Sequence, residues 1–142
     1  MTIDDTKRIV REWVRCWNAG EVDALAALYH DQRFSWRISG QSPVSRVYTK
    51  AEIIALIRTT FDKPMIQRHH IDVTSMTAED NRVALEFIGQ AVFADGTPFL
   101  NHYHALFFIE DGLIIQGRAY LDTWVASQSS LRLNGADSEK GV

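Results

Sequence analysis

The chain has 142 residues, 46% hydrophobic and 23% charged, with a formal net charge of -3. That is one domain with enough chain to bury a core, which excludes wholesale disorder, and the acidic balance argues against a nucleic-acid partner, which asks for a basic surface. Cys16 is the sole cysteine, which excludes an internal disulfide and a thiolate metal cluster.

The N-terminal MTIDDTKRIV carries acids where a secretory leader carries bases, and no apolar run reaches the roughly 18 residues of a membrane span. The expectation is a cytoplasmic protein with no membrane partner. Asp4 or Asp5 is placed to cap a first helix, whose apolar face repeats at Ile9, Trp13 and Trp17 and ends at Asn18-Ala19-Gly20. A second helix is expected from Val22 to His30, with Val22, Leu25, Leu28 and Tyr29 inward. Arg33 to Ser39 reads as a short strand. Thr49-Lys50-Ala51-Glu52 is a capping box that opens a third helix, with Ile53, Leu56, Ile57 and Phe61 on its apolar side.

After Pro64 the composition changes to β-branched and histidine residues. Arg82 to Phe93 reads as a strand, Ala94-Asp95-Gly96-Thr97 as a hairpin turn, Phe99 to Ile109 as the returning strand, and Leu113 to Tyr120 as the last. Asp122 is placed to cap a short helix at Thr123-Trp124-Val125-Ala126. The domain is expected to span residues 1–126, with a flexible polar tail over 127–142. Helices first and antiparallel strands last give an α+β class: a cone-shaped α+β barrel of three N-terminal helices packed on a curved, mainly antiparallel sheet. The mouth of such a cone is a natural cavity for a hydrophobic small molecule.

WNAGEVDAL, RFSWRISG, HHI, ADGTPFLNHYH and RAYLDT together resemble the nuclear-transport-factor-two-like superfamily, and its SnoaL-like branch most, over about residues 7–126. Its relatives include ketosteroid isomerase, scytalone dehydratase, limonene epoxide hydrolase, polyketide cyclases and non-catalytic binders, so the resemblance implies fold more than reaction. The isomerase's oxyanion-hole tyrosine corresponds to Trp13 here, and its base falls near Arg37. The epoxide hydrolase's Arg and two Asp fall on Glu86, Ile88 and Ala119, the last also an acid in a cyclase of this branch. The dehydratase's His-x-Ile context is matched by His69-His70-Ile71, while its Tyr-Asp pair corresponds to Trp17-Asn18. A homodimer is implied, with Val83, Leu85 and Phe87 as an outward apolar set.

Counted from the hairpin glycine of the relatives, Glu86, Ile88 and Gln90 share the cavity face with Asn101, Tyr103 and Ala105 on the next strand and with Ala119 and Leu121 on the last. Trp36 joins from the early strand and Trp13 from the helix. One of His69 and His70 faces inward. A carboxyl buried in RVALEFIG would carry a raised pKa and suit acid/base work, so Glu86 and His69 are the candidate bases, with Tyr103 or Asn101 polarising an oxygen. The chemistry expected is cofactor-free proton transfer on a hydrophobic substrate: isomerisation, dehydration, cyclisation or water addition. The alternative is a non-catalytic binding or dimerising domain, with Glu86 held structurally, for instance by Arg118. His102-Tyr103-His104 offers a metal pair only if both imidazoles turn inward, which by strand parity would turn Tyr103 outward. No metal is expected.

Overall fold

The structure, a computed structural model, describes residues 1–129. Helix α1 (Ile3–Ala19) is capped by Thr2 instead of Asp4 or Asp5. The Thr2 hydroxyl accepts from the Asp5 N–H at 3.1 Å and the Asp5 carboxylate accepts from the Thr2 N–H at 2.8 Å, a reciprocal capping box. Gly20 closes the helix with φ of 73°, where a side chain would be strained. Helix α2 (Val22–Ala26) is shorter than expected. Its continuation is drawn off because Tyr29 bridges to Ile114: the His30 N–H donates to the Ile114 carbonyl, and the Ile114 N–H to that of Leu28.

Strand β1 (Ser35–Ile38) pairs with β2 (Val47–Thr49), a short strand the sequence pattern did not mark, and Thr49 then caps α3 (Lys50–Asp62) through the box with Glu52. The long strands are β3 (Met65–Glu79), β4 (Arg82–Phe93), β5 (Pro98–Glu110) and β6 (Leu113–Leu121). The six strands lie in the order β2-β1-β6-β5-β4-β3, antiparallel throughout except where β1 runs parallel to β6. The α+β class with a curled, mainly antiparallel sheet around the helices is the architecture expected. Among the described residues no helix is long and apolar enough to cross a membrane.

The core sits between α1 and the inner face of the sheet. Val10, Trp13 and Cys16 meet Val83, Leu85 and Phe87 of β4 and Ala105, Phe107 and Ile109 of β5, all buried. Removing a side chain the size of Phe107 from water contributes about 1.5–3 kcal/mol. Val83, Leu85 and Phe87 therefore belong to the core and supply no outward patch for a dimer. Gly117 is opposite Trp36 across the parallel pair, and a Cβ there would overlap the indole, so this strand must be bare at that point. After β6, residues 123–129 are helical. The Asp122 carboxylate accepts from the N–H groups of Trp124 and Val125 at 3.0 and 3.1 Å, the capping role expected of it. Residues 127–129 thus continue a helix instead of opening the polar tail, and the rest of that expected tail lies outside the described residues.

Candidate functional site

Inside the cone lies a cavity of about 250 Å³. Trp13 and Trp17 come from α1, Leu56 and Thr60 from α3, His69 and Ile71 from β3, and Phe87, Tyr103 and Ala119 from the strands that follow; Trp36 and Leu121 also line it. No carboxylate lines it among the described residues. The structure thus gathers six of the expected site residues on the cavity: Trp13, Trp36, His69, Tyr103, Ala119 and Leu121.

Five others are placed elsewhere. Across the β4–β5 pair, Phe87 is opposite Tyr103 and Gly89 opposite Asn101. With side chains alternating, Val83, Leu85, Phe87, Gly89 and Ala91 face inward, which puts Glu86, Ile88 and Gln90 on the outer face. Glu86 is exposed beside His104, and its carboxylate accepts from the Thr74 hydroxyl at 3.3 Å. Arg118, a possible structural partner for it, instead lies 5.0 Å over the Phe108 ring. Gln90 reaches Asp72 at 3.5 Å. His70 is also outside, 2.9 Å from the Gln67 amide and 3.5 Å from Asp72, because β3 alternates and its neighbours His69 and Ile71 take the inside, aided by a bulge between Gln67 and His70. Asn101 is buried, and both ends of its amide bond the backbone. Its Nδ2 donates to the Asp122 carbonyl, and its Oδ1 accepts from the N–H groups of His102 and Asp122, so it clamps the end of β6 instead of meeting a ligand. His102 and His104 are exposed on the outer face, the parity opposite to Tyr103.

The polarity inside is neutral. The indole N–H of Trp13 donates to the Tyr29 hydroxyl at 2.9 Å, so it is spent within the core, and the indole stacks on Trp36 with ring centroids 6.0 Å apart. Burial pushes the Tyr29 hydroxyl well above the usual phenol range. Burial also raises Tyr103, partly offset by hydrogen bonding from Asn101. The indole N–H of Trp17 donates to Nδ1 of His69 at 3.1 Å. Burial, with a smaller repulsion from His70, lowers the pKa of His69 to about 4.

The sequence pattern assigns no site role to Gly89, Met65 or Phe99. The lone glycine in the β4 pattern was the available signal for Gly89, since such a glycine marks a close approach. A Cβ on Gly89 would lie 2.5 Å from Nε2 of His69 and 3.2 Å from the Tyr103 ring. These two rings therefore meet over the bare backbone of β4.

No curated protein matches the chain, whereas solved structures do. A protein named PrhC from Penicillium brasilianum superposes with a TM-score of 0.82 at 13% identity, covering 97% of this chain and 93% of that one. Bal32a, from a soil-derived mobile gene cassette, gives 0.78 at 18% identity over 89% and 96%. An LEH-like epoxide hydrolase from M. tuberculosis gives 0.70 at 14% identity over 97% and 98%. At such identities these likenesses speak for the fold alone. The sequence pattern of the SnoaL-like domain matches residues 10–117, from within α1 to the middle of β6. Sequence and architecture agree, and the chain belongs to the SnoaL-like domain family.

Proposed function

We propose that this protein binds a neutral, hydrophobic small molecule in the cone. The observation that carries this is the cavity itself: about 250 Å³, walled by indole, phenyl and aliphatic groups, with no carboxylate among its described lining residues. A cavity of roughly 150 Å³ holds benzene, so this one suits a ligand of roughly ten non-hydrogen atoms. An ionised ligand would lose its hydration there with no opposite charge to replace it. The reading favours binding over turnover by Glu86, because Glu86 is exposed on the opposite face of β4 from the cavity.

Proton transfer by His69 and Tyr103 is a second reading, favoured by one observation: their rings adjoin in the cavity with centroids 6.0 Å apart. With its pKa near 4, His69 is a feeble base at neutral pH, which puts this reading second. The test is a titration with naphthalene, ten carbon atoms and no polar group, followed by quenching of tryptophan fluorescence. Saturable binding is expected, and Ala119→Phe, which fills the cavity from β6, is expected to remove it. A linear, unsaturable response from the wild-type protein would overturn the binding reading.

A further inference from the structure

We infer that Trp17 and Gly89 fix His69 as a hydrogen-bond donor aimed into the cavity, so that the site selects apolar ligands carrying an acceptor oxygen, of which a carbonyl is the simplest. This rests on the binding reading and adds to it the chemical group the ligand must present.

The argument begins with the indole. A tryptophan N–H can only donate, so the atom 3.1 Å from it, Nδ1 of His69, must accept. A neutral imidazole carries one proton, and with Nδ1 accepting, that proton sits on Nε2. The charged ring is disfavoured twice over. It would turn Nδ1 into a second donor facing Trp17, and no carboxylate lines the cavity among the described residues to offset the charge. The lowered pKa of His69 points the same way, and its neighbour His70, on the outer face, adds repulsion instead of relief. At neutral pH the ring therefore has one charge state and one tautomer.

Its position is fixed as well. Trp17 packs edge-on against both His69 and Phe61, with centroids 5.4 and 5.1 Å apart. Phe99 and Tyr103 flank the imidazole at 5.7 and 6.0 Å. Gly89 leaves the space that Nε2 and Cε1 occupy, since a Cβ there would stand 2.5 and 2.8 Å from them. Among the described residues, the sealed side-chain nitrogen or oxygen without a partner is Nε of Arg118 alone. No hydrogen bond from Nε2 of His69 to another described residue is seen, and the ring lines the cavity, so a ligand there is the partner we assign to it. An unmet donor in an apolar cavity is costly, and a ligand oxygen relieves that cost. A nitrogen that already holds a proton cannot take one, so His69 polarises an oxygen in this arrangement and does not abstract a proton. Trp17 and Gly89 are positioning residues that act through it.

Two measurements test this. Long-range ¹H–¹⁵N correlation spectra of the imidazoles report the tautomer directly. Between about pH 6 and 8 the His69 ring is expected to show the Nε2–H pattern, and Trp17→Phe is expected to mix the tautomers. An Nδ1–H pattern in the wild-type protein overturns the inference. The second measurement compares acetophenone with α-methylstyrene, which has the same shape but a CH₂ in place of the oxygen. Acetophenone is expected to bind about tenfold more tightly than its isostere, the scale of one net hydrogen bond. In His69→Phe the ratio is expected to fall to about one, and Trp17→Phe, which keeps the histidine, supplies the same comparison should that variant fail to fold. Equal affinities in the wild-type protein overturn the donor role and leave the binding reading standing. No saturable binding of either compound or of naphthalene overturns both.

Discussion

The two faces of the β4–β5 hairpin are made from alternate residues of the same strands, yet they differ in the polar groups they carry. The inner face carries Leu85, Phe87, Gly89, Ala105 and Phe107 with Tyr103 among them, and the outer face carries Glu86, Gln90, His102 and His104. A carboxylate on the outer face keeps its hydration and needs no partner, whereas one on the inner face would need a cation that the cavity does not offer among its described lining residues. The difference teaches that polarity inside this cone must be neutral. It is carried by indole, imidazole, phenol and hydroxyl groups, with the indole protons directed at Tyr29 and His69. The outer face is free to be ionic because nothing depends on where its protons sit.

This contrast can be broken by substitution. Phe107→Ala, fully inside, is expected to cost about 3–5 kcal/mol, lost transfer energy plus the cavity left behind, read from the midpoint of urea unfolding. A cost under about 1 kcal/mol would mean the inner face is not close-packed. The next effect is on pH dependence. His69 has its pKa lowered from 6.5 to about 4 in the folded protein, so the unfolded chain binds the proton first as pH falls. Its neutral-form stability is present above about pH 6.5 and is lost as pH drops toward 4, by about 3 kcal/mol in all. His69→Phe is expected to flatten that part of the stability–pH curve, and an unchanged slope would place the ring in solvent.

Asn101→Ala tests a polar group that is inside but bound to backbone. It strips partners from the Asp122 N–H and carbonyl and from the His102 N–H, with an expected cost of about 2 kcal/mol. Amide hydrogen exchange at Asp122 and His102 should quicken in that variant, and slow exchange there would remove the clamp. Glu86→Gln sharpens the comparison from the other side. It is expected to shift stability by less than about 0.5 kcal/mol and to leave naphthalene binding intact. A large loss of either would return the carboxylate to the working part of the molecule.

Much of the architecture was legible because local signals and global fold agree. The Thr49–Glu52 capping box, the Gly20 stop and the Asp122 cap are each set by a few neighbouring residues and stand in the structure as the sequence indicates. Helix α1 starts at Thr2 because a threonine three residues before Asp5 forms a box that neither aspartate can form alone. The short strand β2 gave no signal, since three residues on a sheet edge have no periodicity to read. The face of β4 departs from the expectation for a different reason. Its own alternation groups Val83, Leu85 and Phe87 together, as core residues should be, but counting from Gly96 by likeness to relatives turned that set outward. One residue of register exchanges every side chain between the two faces. Tyr103 and Ala119 line the cavity as the same count expects. Trp17 could not be seen as a partner of His69 because the two stand far apart in the chain, and only the packing of α1 on β3 brings them together.

The parallel pairing of β1 with β6 bears on when the chain can acquire its cavity. Trp36 finds its place against Gly117, about eighty residues later, and Tyr29 bridges to Ile114 on the same strand. Contacts of such long range close large loops and come late in folding. During synthesis, α1, β1 and α3 emerge with their aromatic side chains and must wait for the strand from Leu113 before Trp36 has a wall behind it. The hairpins β3–β4 and β4–β5 can assemble from neighbours in the meantime. The order of events therefore runs from the far rim of the sheet inward, and until β6 leaves the ribosome the chain must keep an unfinished aromatic cluster from meeting other chains.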